Sequence, residues 1–315
     1  LQVACDEGRK AEDGRGLGLV EVIRAIMMLQ AGRWTECLDA GAAALSHLRN
    51  QFTGVAWELA TAEAYYLAAL GFLGRLDEMR EMFDTLVVQC REKGDLHSES
   101  HLRLGLEINP HLIDDRPDEG EADIKDAVAR WGQRKFPLQH NYALRALAEV
   151  ALYRGDGASA LALADELWRK LARSPLRRVE LIHNLALEVR SRSVLAALKQ
   201  GGDQRRLLDR ASRGIRDLNL RGAPWTSAHA RLLSAQLALL SGSPESGASR
   251  FAEAADLFDA TGMSLHATAA RWRLGELTDR RLRTTAEVWL AHQRVLRPEA
   301  LVNMLVPVSV PQPRL

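Results

Sequence analysis

Two histidines one helical turn apart come closest to the spacing of a metal site. In the run His97-Ser-Glu-Ser-His101 the imidazoles lie at positions i and i+4, which places them on one face of a helix. A protease zinc helix needs a glutamate directly after the first histidine, whereas Glu99 lies two residues after His97. No third ligand is evident, and a chain with nine histidines produces such pairs by chance. We therefore interpret the pair as a surface feature and predict no metal site.

Acidic residues and glycines elsewhere also fall short of a cofactor site. The densest acidic cluster comprises Asp114, Asp115, Asp118, Glu119, Glu121 and Asp123. It lacks the glycine and the alternation of a calcium loop, so we interpret it as a solvated turn followed by a helix start. The run Gly14-Arg-Gly-Leu-Gly18 has neither the lysine nor the preceding strand of a phosphate-binding loop, and no kinase catalytic loop occurs in the sequence. We expect no cofactor and no catalytic residue.

Five arginines recur at helical spacing and form one basic face: Arg205, Arg206, Arg210, Arg213 and Arg216. Three interpretations stay open, namely a solvated surface, a surface that binds a protein or an acid, and a nucleic-acid interface. Binding of single-stranded nucleic acid favours aromatic side chains that stack on bases, and the nearest aromatic residue, Trp225, stands alone. Nucleic acid is therefore the least favoured partner.

The net charge of +1 conceals an asymmetry along the chain. Residues 58–126 contain 17 acidic and 7 basic residues, whereas residues 169–222 contain 14 basic and 5 acidic residues. One interpretation is that these are solvated helix faces of drifting composition. The other is a bipolar surface that steers a charged partner or a second copy of the chain. The second interpretation predicts weak self-association that disappears at high salt.

The elements that carry these residues are predicted to be helices throughout. Alanine, leucine, arginine and glutamate dominate the chain, and clusters of strand-favouring residues are almost absent. No apolar run reaches the length of about 20 residues that spans a bilayer, so no membrane segment is expected. Cys5, Cys37 and Cys90 offer no disulfide framework, which fits a reducing, cytoplasmic setting.

A recurring turn divides the chain into units of about 41 residues. Turns are expected at Gly32, Gly74, Asp114–Asp115, Gly155, Gly201–Gly202 and Gly242, with a weaker one at Thr278–Asp279. In the unit around Gly155, the first helix carries Leu144, Leu147, Ala148 and Ala151, and the second carries Ala160, Ala164 and Leu167. Short side chains let two antiparallel helices pack closely, so we expect Ala160 and Ala164 to be buried. The seven tryptophans occur about once per unit, which favours packing between units over ligand contacts.

The same frame recurs in other units and resembles a known repeat family. The matching positions are Ala25, Met28, Gly32, Trp34, Cys37 and Ala44, then Tyr66, Leu67, Leu70, Gly74, Leu76, Met79, Phe83 and Leu86, and later Ala235, Ala238, Gly242, Phe251 and Ala254. This pattern resembles tetratricopeptide repeats over roughly residues 17–294. The resemblance implies an all-α, right-handed superhelical solenoid of about six to seven antiparallel helix pairs. The period exceeds the family's usual length of about 34 residues, which implies longer helices or loops.

The end of the chain carries a second resemblance. Its pattern comprises Ala286, Trp289, Leu290, Gln293, Val295, Pro298, Leu301, Met304, Leu305 and Pro307. It looks like the terminus of large bacterial signalling proteins that carry a serine/threonine kinase domain, an ATPase domain and a long repeat region. Arginine outnumbers lysine by 36 to 6, which fits a GC-rich bacterial genome. The resemblance, together with the missing initiator methionine, implies that the chain is the C-terminal repeat region of a longer protein.

The predicted organisation is a linker or tail at residues 1–16, a repeat domain at 17–306 and a C-terminal tail at 307–315. The leading hypothesis is a non-catalytic scaffold whose first helices line a concave surface that holds a protein or peptide segment. A second hypothesis is a ligand-sensing domain that controls an upstream kinase or ATPase domain of the same chain, and a third, less favoured one is a stand-alone hydrolase or metal enzyme. The candidate peptide contacts are Tyr65, Arg103, Asn141, Arg145, Asn184, Arg231 and Arg271.

Overall fold

The computed structural model describes residues 14–49, 54–131, 138–201 and 203–309. Helices make up 83% of these residues, and the described ranges contain no strand. The all-helical prediction is therefore confirmed.

Sixteen α-helices and one 3₁₀ turn follow one another along the described chain. The first eight are α1 (Gly14–Gln30), α2 (Trp34–Leu48), α3 (Ala56–Leu73), α4 (Leu76–Lys93), α5 (Leu96–Gly105), α6 (Pro110–Ile113), α7 (Pro117–Trp131) and α8 (Leu138–Tyr153). After α9 (Gly157–Ala172) comes the 3₁₀ turn (Pro175–Arg178), followed by α10 (Glu180–Lys199), α11 (Gln204–Asn219), α12 (Pro224–Leu240) and α13 (Pro244–Ala260). The last helices are α14 (Ser264–Leu277), α15 (Arg280–His292) and α16 (Pro298–Leu305).

Local sequence explains where these helices begin and end. Asp95 and Asp156 precede α5 and α9, and the carboxylate of each accepts a hydrogen bond from a main-chain N–H in the first turn. Pro117 and Pro244 occupy the first turns of α7 and α13, where a missing N–H costs nothing. The predicted turn at Gly155 is present between α8 and α9, and its φ of +75° suits a residue without a Cβ.

Apart from the short helix α6, the helices pack in chain order, each against the next, as in an α-solenoid. The helices α1, α3, α5, α8, α10 and α12 also contact one another in succession and, together with α14, form what we call the inner layer. The outer layer consists of α2, α4, α7, α9, α11, α13 and α15. The short helix α6 follows α5 along the chain and packs against α4 and α7, so the unit predicted to turn at Asp114–Asp115 contains three helices.

The two halves of the array also meet, so the solenoid closes on itself. Trp34 at the start of α2 stacks on Phe72 at 3.9 Å and meets Trp225 of α12 edge-on at 5.9 Å. The turn after α3 reaches the last hairpin, where the N–H of Leu76 donates to Gln293 Oε1 at 2.9 Å. Trp34 and Trp225 thus pack between distant units, as predicted for the tryptophans.

The described part of the C-terminal segment, residues 294–309, runs across the inner layer. Helix α16 contacts α8, α14 and α15, and Leu301, Met304 and Val306 are fully buried. Val308 is also buried, and its N–H donates to Gln236 Oε1 of α12 at 3.2 Å. The domain boundary after residue 306 stays a prediction, but residues 307–309 of the expected tail are packed against the repeat domain. The boundary after residue 16 likewise stays a prediction, and it falls inside α1.

Candidate peptide-binding groove

Arg145, a predicted peptide contact on α8, is committed to a buried ion network. Its Nη1 donates to Glu107 Oε2 at 2.9 Å and to Glu149 Oε1 at 3.1 Å, and its Nη2 donates to the carbonyl of Leu106. Only 3% of Arg145 is exposed. Its expected role as an accessible peptide contact is therefore not supported, because a buried charge must be neutralised within the fold.

The network continues onto α10 through Arg192. Its guanidinium lies 3.1 Å from Glu188 and 3.5 Å from Glu149. Burial raises the pKa of Glu107 to about 7, although Arg145 opposes this effect. Burial also raises the pKa of Glu188, against the pull of Arg192 and Arg145. These buried acidic and arginine side chains of the inner layer therefore have a structural role.

Inner-layer side chains also bind the main chain of the C-terminal segment. Arg192 Nη1 donates to the carbonyl of Met304 at 3.3 Å. Arg273 of α14 donates to the carbonyl of Val306 from Nε at 3.2 Å and from Nη2 at 2.7 Å. Lys199 Nζ donates to the carbonyl of Pro307 at 3.0 Å. In this part of the inner layer, the position expected for a partner segment is occupied by the chain's own C-terminal segment.

The remaining predicted contacts do not converge on one surface. Arg103 is buried and ties α5 to α7 through Asp123 and Asp126, each at 2.8 Å. Asn141 is buried on α8, and its Nδ2 has no partner among the described residues. Arg231 pairs with Glu253 at 3.1 Å, and Arg271 pairs with Asp259. Of these, only Arg231 and Arg271 remain substantially exposed, and both belong to the last part of the array.

Tyr65 lies in an open groove between α3, α5 and α8, which we call the α3–α5 groove. The groove has a volume of about 420 Å³. Its lining comprises Ala56, Trp57, Ala60, Thr61, Ala64, Tyr65, Asp95, His97, Ser98, His101, Leu102, Leu138 and Gln139. The three alanines recur every four residues and form a low stripe along α3, which lets another backbone approach closely.

Aromatic and polar groups surround this alanine stripe. Trp57 is 62% exposed, an unusual exposure for so large an apolar side chain. His101 packs edge-on against Tyr142 at 5.9 Å, and burial lowers its pKa to about 4, so its imidazole is neutral at physiological pH. The groove therefore combines an apolar floor and an exposed indole with polar groups, among them the neutral imidazole of His101 and the carboxylate of Asp95, a composition suited to an amphipathic polypeptide segment.

The His97–His101 pair faces this groove. The described residues contain no group of three or more side chains that could hold a metal ion, and the missing third ligand noted in the sequence is not supplied there by the fold. Of the described residues that line the groove, only Tyr65 was among the predicted contacts. The i, i+4 recurrence of Ala56, Ala60 and Ala64 on a first helix was the sequence signal that could have identified the floor of the groove.

The predicted basic face lies on the outer helix α11. Arg205, Arg206, Arg213 and Arg216 are exposed, whereas Arg210 is half-buried and donates to Asp165 Oδ1 at 2.6 Å. Arg213 pairs with Asp209 at 3.0 Å, and Arg205, Arg206 and Arg216 make no ion pair with any described residue.

The acidic stretch behaves differently from the basic one, because most of its carboxylates are neutralised by internal pairs. Asp118 and Glu121 pair with Arg154, and Asp114 pairs with Arg80 at 2.7 Å. Among the acidic residues between 58 and 126, only Asp84, Glu92 and Asp95 lack an ion pair with a described residue. The charge asymmetry of the sequence thus leaves exposed arginines without an ion pair to a described residue, three of them on α11.

No described helix is both long enough and apolar enough to cross a bilayer. A scan against protein-family models finds no matching family, and a comparison with curated proteins finds no similar sequence.

Proposed function

We propose that the chain is a non-catalytic interaction domain that binds a helical segment of a partner protein in the α3–α5 groove. The observation that carries the proposal is the groove itself, with its alanine floor and the exposed indole of Trp57 at its side. An amphipathic helix presents apolar side chains three or four residues apart. This spacing matches the four-residue spacing of Ala56, Ala60 and Ala64 along α3.

The C-terminal segment supports this mode of action. A helix of eight residues followed by an extended stretch already lies against the inner layer, and arginine side chains hold its carbonyls. The inner layer is therefore suited to receiving polypeptide segments. The α3–α5 groove is formed by helices of the same inner layer, towards the other end of that layer.

The finer architecture belongs to the same proposal. We take the helices as seven antiparallel pairs, with α6 inserted in the third and α16 following the last, wound as a right-handed superhelix of the tetratricopeptide type. We further propose that this domain is the C-terminal repeat region of a cytoplasmic bacterial signalling protein that carries a kinase and an ATPase domain. An upstream domain of that protein is then one source of the bound segment.

Substitution of Ala60 by arginine tests the groove. A long charged side chain on the floor blocks close approach of a helix, whereas arginine at Val88, which is 52% exposed on the outer helix α4, leaves the groove intact. A protein captured by the wild-type chain would be purified and titrated calorimetrically against all three chains. We expect Ala60→Arg to weaken binding at least about tenfold, or about 1.4 kcal/mol, and Val88→Arg to leave it unchanged. Equal affinities of all three chains for every captured protein would refute the proposal.

A further inference from the structure

A second cavity lies where the closed array brings its two halves together. It has a volume of about 340 Å³ and opens between the end of α1, the first turns of α10 and the α11–α12 connection. Its lining comprises Gln30, Ala31, Glu180, Leu181, Asn184, Arg221, Gly222, Ala223 and Trp225. This volume lies at the small end of the range for small-molecule sites.

Asn184 is the buried polar group of this cavity. Only 1% of the residue is exposed, yet neither Oδ1 nor Nδ2 has a hydrogen-bond partner among the described residues. A buried amide without hydrogen-bond partners destabilises the fold, and such groups are rare in folded proteins. The side chain thus offers an acceptor oxygen and a donor NH2 group to a molecule in the cavity.

Two opposite charges stand at the same cavity. Glu180 lies four residues before Asn184, one turn away on the same face of α10, and it is exposed. Arg221 contributes from the α11–α12 connection, where its Nη2 lies 2.8 Å from His183 Nε2. Burial and the neighbouring Arg221 lower the pKa of His183, so the neutral imidazole accepts this hydrogen bond and orients the guanidinium. Neither Glu180 nor Arg221 makes an ion pair with a described residue.

We propose that this cavity binds a free α-amino acid. The carboxylate of Glu180 pairs with its ammonium group, the guanidinium of Arg221 pairs with its carboxylate, and the amide of Asn184 bonds to either group. Leu181 and Trp225 form an apolar wall for the side chain of the ligand. This site is separate from the α3–α5 groove and does not depend on the function proposed for that groove.

Binding at this position couples to the closure of the array. Gln30 and Ala31 belong to the first hairpin, whereas the charged groups belong to α10 and the α11–α12 connection, so the ligand contacts both halves. A ligand that binds only the closed, folded state raises the melting temperature with increasing concentration.

Thermal unfolding in the presence of each of the twenty standard amino acids at about 10 mM identifies the ligand, and calorimetry then measures its affinity. Two derivatives test the charge pairing: the N-acetyl amino acid lacks the ammonium charge, and the amino acid amide lacks the carboxylate. We expect at least one amino acid to raise the melting temperature and both of its derivatives to bind at least about tenfold more weakly.

Three variants complete the test. Asn184→Ala and Arg221→Ala should each weaken binding about tenfold, and Arg216→Ala, an exposed arginine outside the cavity, should not. Because the side chain of Asn184 makes no hydrogen bond with a described residue, its alanine variant should fold with the wild-type circular dichroism spectrum. Absence of a shift with all twenty amino acids overturns the proposal, as does a shift that survives in both cavity variants or with either derivative.

Discussion

Ala160 shows how one small residue sets the distance between neighbouring helices. It is completely buried on α9, as is Ala164 one turn later, and both were predicted to be buried from their spacing alone. A larger side chain at such a position has no space to enter unless the helices move apart.

We predict that Ala160→Leu destabilises the protein by roughly 1–3 kcal/mol through overpacking. Urea unfolding followed by circular dichroism measures the effect. Ala158→Leu is the matched control, because Ala158 lies on the same helix and is exposed, and it should change stability by less than about 0.5 kcal/mol. Equal stability of both variants would show that Ala160 does not face a neighbouring helix.

Glu107 illustrates the opposite situation, a charged residue in a buried position. Its folded-state pKa is raised from the usual 4.5 to about 7, chiefly by burial. A carboxyl group with a raised pKa favours folding while it is protonated. Its contribution is complete below about pH 4.5 and is lost as the pH rises through about 7.

We therefore predict that Glu107→Gln gains stability relative to the wild type as the pH rises from about 5 to about 8. Glutamine keeps an oxygen that accepts from Arg145 but has no proton to lose. Urea unfolding across this pH range measures the difference, with Glu78→Gln as the control at an exposed site. A difference between Glu107→Gln and the wild type that is constant with pH would contradict the prediction.

At the scale of elements, the outer helix α11 combines exposure with uncompensated positive charge. Its exposed arginines at 205, 206 and 216 lack ion pairs with described residues, whereas most carboxylates of the acidic stretch are paired within the chain. An acidic partner, or the few unpaired carboxylates of a second copy, would therefore meet this helix first. Such contacts between solvated charges weaken as salt screens them.

We predict weak self-association at about 20 mM salt that disappears at roughly 300 mM, and its loss in the triple variant Arg205→Glu, Arg206→Glu, Arg216→Glu. Arg210 is left unchanged in this variant because it forms an ion pair with Asp165 of the same chain. Sedimentation velocity detects the change. The double variant Arg280→Glu, Arg281→Glu, at exposed arginines of α15, should associate as the wild type does. Identical sedimentation of all three proteins at every salt concentration would mean that the basic face is only solvated.

At the scale of the whole molecule, the closed array rests on contacts between turns that are distant in sequence. Gly74 and Gly94 both end helices with positive φ, at +76° and +67°. A Cβ at Gly74 would lie 2.7 Å from the main-chain nitrogen of Leu265 on α14, whereas a Cβ at Gly94 would meet no atom of the described residues within 4 Å. Alanine would therefore have the same backbone strain at both positions, but only at Gly74 would it also crowd a helix from the other end of the array.

We predict that Gly74→Ala costs more stability than Gly94→Ala. Both variants carry the strain of a left-handed residue, about 1–2 kcal/mol, and Gly74→Ala adds about 1–3 kcal/mol by forcing α14 away. Thermal unfolding of the two variants gives the comparison directly. If the two alanine variants melt at the same temperature, the first and last parts of the array do not meet as described.

The helical period, the turns and the burial of small residues were determined by the sequence itself. Leu144, Ala148, Gly155 and Ala160 could be assigned correctly because a helix and its caps depend on residues at most a few positions apart. The all-helical fold follows from repeating that local pattern.

The accessibility of the site residues was decided only by the tertiary structure. Arg145 and Asn184 occupy first helices as predicted, but both are buried in the inner layer of the closed array. That closure depends on contacts such as the hydrogen bond from Leu76 to Gln293, across 217 residues, and on the C-terminal segment that covers the inner layer. Helical periodicity identifies the face of its own helix on which a residue lies. Which segment packs against that face depends on the path of the whole chain, and local sequence does not encode that path.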